Sequence, residues 1–329
     1  MKPQRRILVA IKDPASSTPP AVAKAARLAQ ALGAELELFH AMTIPISADT
    51  HLYETGSLAN FERGARKRAV EQLEAMAGPL RRKKLTVRTA ADWDYPAHEA
   101  IVRRARRIKA ELIVADLHAG RRLAPWLLHL TDWELLRTSP FPVLLVKNDE
   151  AWGRPIVLAA IDPTHAFAKP AGLDSEILKV AARLSSALGG SLHAMHAYGP
   201  IPVGVHPEVG VGPREVANIK DAAESAARKA LDRALRGTKI PARRRHLVVG
   251  SPVKAIPRTA GELGSAIVVM GAVSRSALKR VVIGNTAERV LRALPCDVLV
   301  VKPAKFVTGV SRTPRGVRYM MSTKLPLLY

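Results

Sequence analysis

Residues 26–41 read ARLAQALGAELELFHA, and residues 182–197 read ARLSSALGGSLHAMHA. An internal repeat of this kind fixes the unit that has to fold, so it constrains the architecture more than any other feature. It preserves a helix end, a glycine stop (Gly33, Gly189) and the apolar run behind it. AELIVAD (110–116) pairs with SAIVVMG (265–271), and SPFPVLLVK (139–147) pairs with LPCDVLVVK (294–302). The spacing stays near about 155 residues, so the chain of 329 residues reads as two copies of one domain. We place them at 1–150 and 151–303, followed by a basic tail over 304–329.

The second copy shows the order of elements best. IVLAAID (156–162) is a continuous apolar run, as expected of a strand covered on both faces. A helix over 173–188 follows, with Ile177, Ala181, Leu184 and Leu188 on one stripe and Gly189–Gly190 as its stop. SLHAMHAY is a second strand. A Gly/Pro-rich loop (199–213) leads to a long helix over 214–236, then HLVVG, the helix SPVKAIPRTAGEL, AIVVMG, a helix after Gly284 and the strand DVLVVK. Strands alternating with helices predict an α/β fold, with a five-stranded parallel sheet and helices on both faces of each copy. Ligands of such sheets sit beyond the carboxyl ends of the strands, here Asp162, the loop after Tyr198, Gly250 and Gly271.

Composition narrows the function. No apolar run approaches the ~20 residues of a membrane span. The short run after MKPQRR meets Lys12 and Asp13 before any cleavage site, so it reads as a first strand and not a signal peptide. The single cysteine, Cys296, permits no internal disulfide, fits a reducing cytosol, and reads as a buried residue at the start of a strand. The formal charge of +23 gathers in RRKK (81–84), RRARR (103–107), RRR (243–245) and the tail. These runs read as solvated faces, with contact to nucleic acid as a secondary hypothesis.

The stretch from Gly271 to Gly284, Asn285 and Thr286 joins the end of a strand to the start of a helix. Asn285 with Glu288 has the spacing of a capping pair, and free N–H groups there favour an anion. A plain turn needs the same glycines and cap, so both readings stay open on spacing alone.

The second half resembles a universal stress protein domain. Nucleotide-binding members of that family carry glycine, two residues, glycine, nine residues, glycine and then Ser or Thr; this chain has Gly271, Ser274, Gly284 and Asn285 there. AERVLRALPCDVLVVKP is also typical of the family, and Asp162 matches the aspartate that faces the adenosine. The resemblance covers 5–148 and 155–303, and TDWELLR and GNTAERV look most like the tandem type. It implies a Rossmann-like sheet and an adenine nucleotide, ATP or ADP, in the second domain only, with no metal beyond magnesium carried by the nucleotide. It also implies domains pairing through their last strands, within one chain or in a homodimer. Ser274 adds a Cβ where the family has glycine, and Asn285 replaces the hydroxyl residue, with Thr286 one place along.

The first half departs further. The constant offset puts Asp116, Ala119, His129 and Leu130 at the loop positions, and Lys12 in the place of Asp162. An aspartate in the path of a phosphate is electrostatically unfavourable. Thr131 with Glu134 is expected to cap the following helix, and LAPWLLHL (123–130) to pack as core or line an apolar cavity. Catalytic constellations are missing. His193 and His196 are three apart on a strand and point to opposite faces, and no serine sits in a nucleophile elbow. The expectation is a cytoplasmic, non-catalytic stress-response regulator with nucleotide in its second domain, slow ATP hydrolysis left open. The alternatives are a scaffold or apolar-ligand carrier, and a nucleic-acid-associated protein.

Overall fold

A computed structural model describes residues 5–16, 19–42, 57–117, 125–164, 172–200, 213–271 and 285–314, apart from the side chains at 57–59, 125–131, 213 and 285. The chain divides into two units: Met1–Asp149 together with the segment from Val307, and Glu150–Phe306.

The first unit runs β1 (Arg6–Ala10), α1 (Pro20–Leu32), β2 (Glu35–Met42), α2 (Ser57–Arg82), β3 (Val87–Trp93), α3 (Ala97–Ile108), β4 (Leu112–Asp116), α4 (Pro125–Thr138) and β5 (Val143–Val146). The second repeats the order: β6 (Ile156–Ala160), α5 (Leu173–Ala187), β7 (Ser191–Tyr198), α6 (Pro213–Ala234), β8 (Arg245–Val249), α7 (Pro252–Glu262), β9 (Ile267–Gly271), α8 (Asn285–Ala293) and β10 (Asp297–Val301). Within the first unit the strands lie β3-β2-β1-β4-β5, within the second β8-β7-β6-β9-β10, and the pairings are parallel. The α/β class and the five parallel strands of each copy, expected from the sequence, are therefore what the chain adopts; their lateral order comes from the structure.

The apolar runs explain the order of the strands. Leu8, Val9, Leu158 and Ala159 are wholly enclosed, because β1 and β6 lie in mid-sheet beneath helices. The stripe read on α5 is its buried face: Ile177, Ala181, Leu184 and Leu188 are all buried. Gly33 and Gly189 end the preceding helices with φ of 62° and 64°, in the left-handed region where glycine carries no Cβ penalty. Cys296 is buried beside the start of β10. Next to it Asp297, with no exposed surface, accepts the indole N–H of buried Trp152 at 2.9 Å.

Register fixes how the two copies correspond. Ile11 donates its N–H to Phe39 and Ile161 donates to Met195, so Lys12 stands where the second unit has Asp162. Ile7 pairs with Leu112 and Val157 with Ile267, which matches Asp116 to Gly271. Asp94 and Gly250 bond to the equivalent carbonyls of Met42 and Tyr198.

After β10, Lys302 is buried with its ammonium 5.0 Å from the Phe306 ring centroid, and burial pushes its pKa down to about 8. Between that value and the ordinary 10.5 the folded chain holds fewer protons than the unfolded one, so stability falls as pH drops from 10.5 to 8. Lys302→Met is expected to remove this slope and to raise stability below pH 8 by roughly 1–2 kcal/mol, less than the desolvation cost alone because the ring attracts the cation. Urea midpoints of both proteins across this range check it; parallel curves contradict it.

Candidate functional site

In each unit the first strand pairs with the second on one side and the fourth on the other, so the chain's winding reverses between them. In such sheets the usual ligand position is the crevice beyond the carboxyl ends of the first and fourth strands. In the second unit the crevice lies between Asp162 and Gly271.

Asp162 follows β6. Its N–H donates to the Asp174 carboxylate at 3.0 Å, and one of its own oxygens accepts the Thr164 hydroxyl at 3.0 Å. Among the described residues no partner engages its second oxygen. Behind it, His196 Nδ1 bonds the Ile161 carbonyl at 3.3 Å. The first unit repeats this part: His40 Nδ1 bonds the Ile11 carbonyl at 2.8 Å, and burial lowers the His40 pKa. The same ring-to-carbonyl hydrogen bond at the end of the first strand accounts for the histidine in both copies.

Gly271 is the last residue of β9. A Cβ there would come within 2.6 Å of Leu173 Cδ2 and 3.1 Å of its Cγ, so the glycine makes room for the first turn of α5. The sequence reading gave it a role in phosphate approach; contact with the Leu173 side chain gives it a packing role as well. Asn285 and Thr286 begin α8, and Thr286 is exposed. The Glu288 carboxylate takes Arg292 at 2.7 Å, one turn further along the helix. Ser274, Gly284 and the Asn285 side chain lie outside the described residues.

The first unit treats the same places differently. Lys12 Nζ meets the two Asp132 oxygens at 2.7 and 2.8 Å, and the Asp132 side chain is only 4% exposed. By offset, Asp132 stands where the second unit has Ala287. Asp116 accepts the Ala21 N–H at 2.8 Å and caps α1. Asp94 is held bidentately by Arg103 at 2.6 and 2.8 Å, both buried; the counterparts are Gly250, which has no carboxylate, and Arg258, which lies 3.7 Å from Glu262 instead. Three strand ends are thus tied by charged side chains in the first unit and finish in Asp162, Gly250 and Gly271 in the second. The pairing of Lys12 with Asp132 was missed in the sequence, although the repeat offset marks both as departures.

Two expectations need correction. Thr131 does not cap a helix, because α4 starts earlier, at Pro125, whose fixed φ suits a first turn; Glu134 pairs with Arg137 at 2.9 Å. The RRARR run is not a solvated face. Arg103 is buried, Arg104 pairs with Glu37 and Asp92, Arg106 donates to the Val310 carbonyl, and Arg107 meets Asp92.

His193 and His196 do not share a partner. His193 Nδ1 lies 2.9 Å from His246 Nε2, and burial lowers both pKa values. Among the described residues no group of three His, Cys, Asp or Glu could hold a metal, and no helix is long and apolar enough to cross a membrane.

A doubly wound parallel domain, present twice, with charged side chains bonded across the strand ends of the first copy and Asp162, Gly250 and Gly271 at those places in the second, defines a duplicated α/β protein of the Rossmann-like class. The universal stress protein family model matches residues 4–147 and 170–302, and the chain belongs to that family. It is 29% identical over 318 residues to universal stress protein E of Salmonella typhi, covering 92% of this chain and 96% of that protein. The protein of the same name from Escherichia coli K12 is 29% identical over 315 residues, with the same coverage. A crystal structure of a Pseudomonas aeruginosa PAO1 protein described as functionally unknown matches with TM-score 0.68 and 25% identity, covering 92% of this chain and 94% of that one.

Proposed function

We propose that the second domain holds ATP or ADP in the crevice between β6 and β9, and that the protein is a non-catalytic, cytoplasmic stress-response regulator governed by that nucleotide. One observation carries the reading. The second domain's crevice is bounded by an aspartate with an unengaged oxygen and by a glycine, whereas the Lys12–Asp132 ion pair stands at the equivalent place in the first. The Asp162 carboxylate suits a ribose hydroxyl or the adenine amine as a hydrogen-bond acceptor. The run from Gly271 through Ser274 and Gly284 to Asn285 and Thr286 would hold the phosphates, with α8 behind it contributing the partial positive charge of its first turn. Magnesium would arrive with the nucleotide.

Isothermal titration of the full chain with ATP and with ADP near physiological salt tests this. Wild-type protein is expected to bind one of them, and Asp162→Ala to weaken it at least about tenfold, close to 1.4 kcal/mol. No heat at millimolar nucleotide favours a scaffold instead.

A further inference from the structure

The RRARR run and the C-terminal segment meet on the first domain. Val310 is 5% exposed, and Arg106 Nη1 donates to its carbonyl at 2.8 Å. The segment brings exposed Arg312 to the wall of a cleft of about 510 Å³ beside the end of β3, where Trp93 and Phe39 also line it.

Four more guanidiniums line this cleft: Arg66, Arg103, Arg104 and Arg107. Carboxylates hold them in place. Arg103 grips Asp94 and also Glu99, at 2.9 Å, while Arg104 reaches Glu37 and, at 3.2 Å, Asp92. Arg107 meets Asp92 at 2.6 Å and Arg66 meets it at 3.5 Å, so one carboxylate serves three guanidiniums. Among the described residues Arg312 meets no carboxylate. Four of these guanidiniums share Glu37, Asp92, Asp94 and Glu99, and Arg106, on the Val310 carbonyl, and Arg312 add two positive charges beyond them. The crowding is felt at Arg106, whose pKa is lowered by burial first and then by Arg312 and Arg103. Like charges gathered in a partly enclosed cleft repel more than they would in open water, and an anion relieves that repulsion. Guanidinium forks suit the paired oxygens of a phosphate, and the volume suits a small one.

We propose that this cleft is an oxyanion site for a small phosphate-bearing molecule of two or more negative charges, held by Arg312 from the C-terminal segment together with Arg107 and Arg66. Inorganic pyrophosphate is the probe, titrated calorimetrically into the full chain at low salt. The expected result is saturable binding that weakens at least about tenfold in Arg312→Gln and in Arg107→Gln, both exposed positions, with unchanged circular dichroism and unchanged ADP binding. No heat at millimolar pyrophosphate overturns the proposal. So does equal binding by wild type and both variants, or binding lost in Asp162→Ala but kept in Arg312→Gln, which would put the anion in the second domain.

Discussion

Gly190→Ala is expected to destabilise the second domain by about 3 kcal/mol, although it adds one methyl group. Gly190 follows the left-handed Gly189 and carries the chain from α5 into β7. Its N–H bonds the Ser185 carbonyl at 2.9 Å, and the next residue, Ser191, donates to Pro155 at 2.9 Å, the first rung between β7 and the approach to β6. A Cβ at 190 would overlap the Pro155 carbonyl oxygen and come within 3.1 Å of its carbon. Both are main-chain atoms, so no rotamer change relieves the clash; the strand start has to move and the rung weakens. The first domain has Ala34 at this place. Ala34→Gly there should cost under about 1 kcal/mol, from the added freedom of the unfolded chain. Urea unfolding of the two variants measures both, and an unperturbed Gly190→Ala midpoint contradicts the account.

Lys12→Ala is expected to cost the first domain about 2–3 kcal/mol, because it strips the ammonium from a carboxylate that is 4% exposed. The reverse change should be milder. In Asp132→Ala the Lys12 ammonium, on a side chain 23% exposed, can swing toward water, at a cost near about 1 kcal/mol. The double variant should recover much of the Lys12→Ala loss, since the second domain already does without an acid at Ala287. A double variant as unstable as the sum of the single ones, by the same unfolding measurement, would show that the two groups act independently.

The repeat, the succession of strands and helices along the chain and the helix stops were legible in the sequence because covered parallel strands leave uninterrupted apolar runs and left-handed helix ends leave glycines. The lateral order of the strands was not. Ile7 to Ile11 and Val157 to Ile161 read as strands for that reason. Side chains that meet across the fold leave no such trace. Nothing local joins Lys12 to Asp132 or Arg106 to Val310, and those contacts distinguish the first strand ends from the second. The Thr131–Glu134 spacing looked like a cap because capping is a local pattern, and Pro125 upstream decided where the helix began. Gly271 is the instructive case: its spacing suggested a phosphate loop, and Leu173 supplies a packing reason for a small residue that spacing could not reveal.

Native mass spectrometry of the full chain with ADP and ATP tests most directly whether the two crevices have parted in role. The account predicts a single bound nucleotide per chain, lost in Asp162→Ala and retained in Lys12→Ala under conditions where that variant stays folded. Two nucleotides per chain, or one that survives Asp162→Ala unchanged, would contradict it.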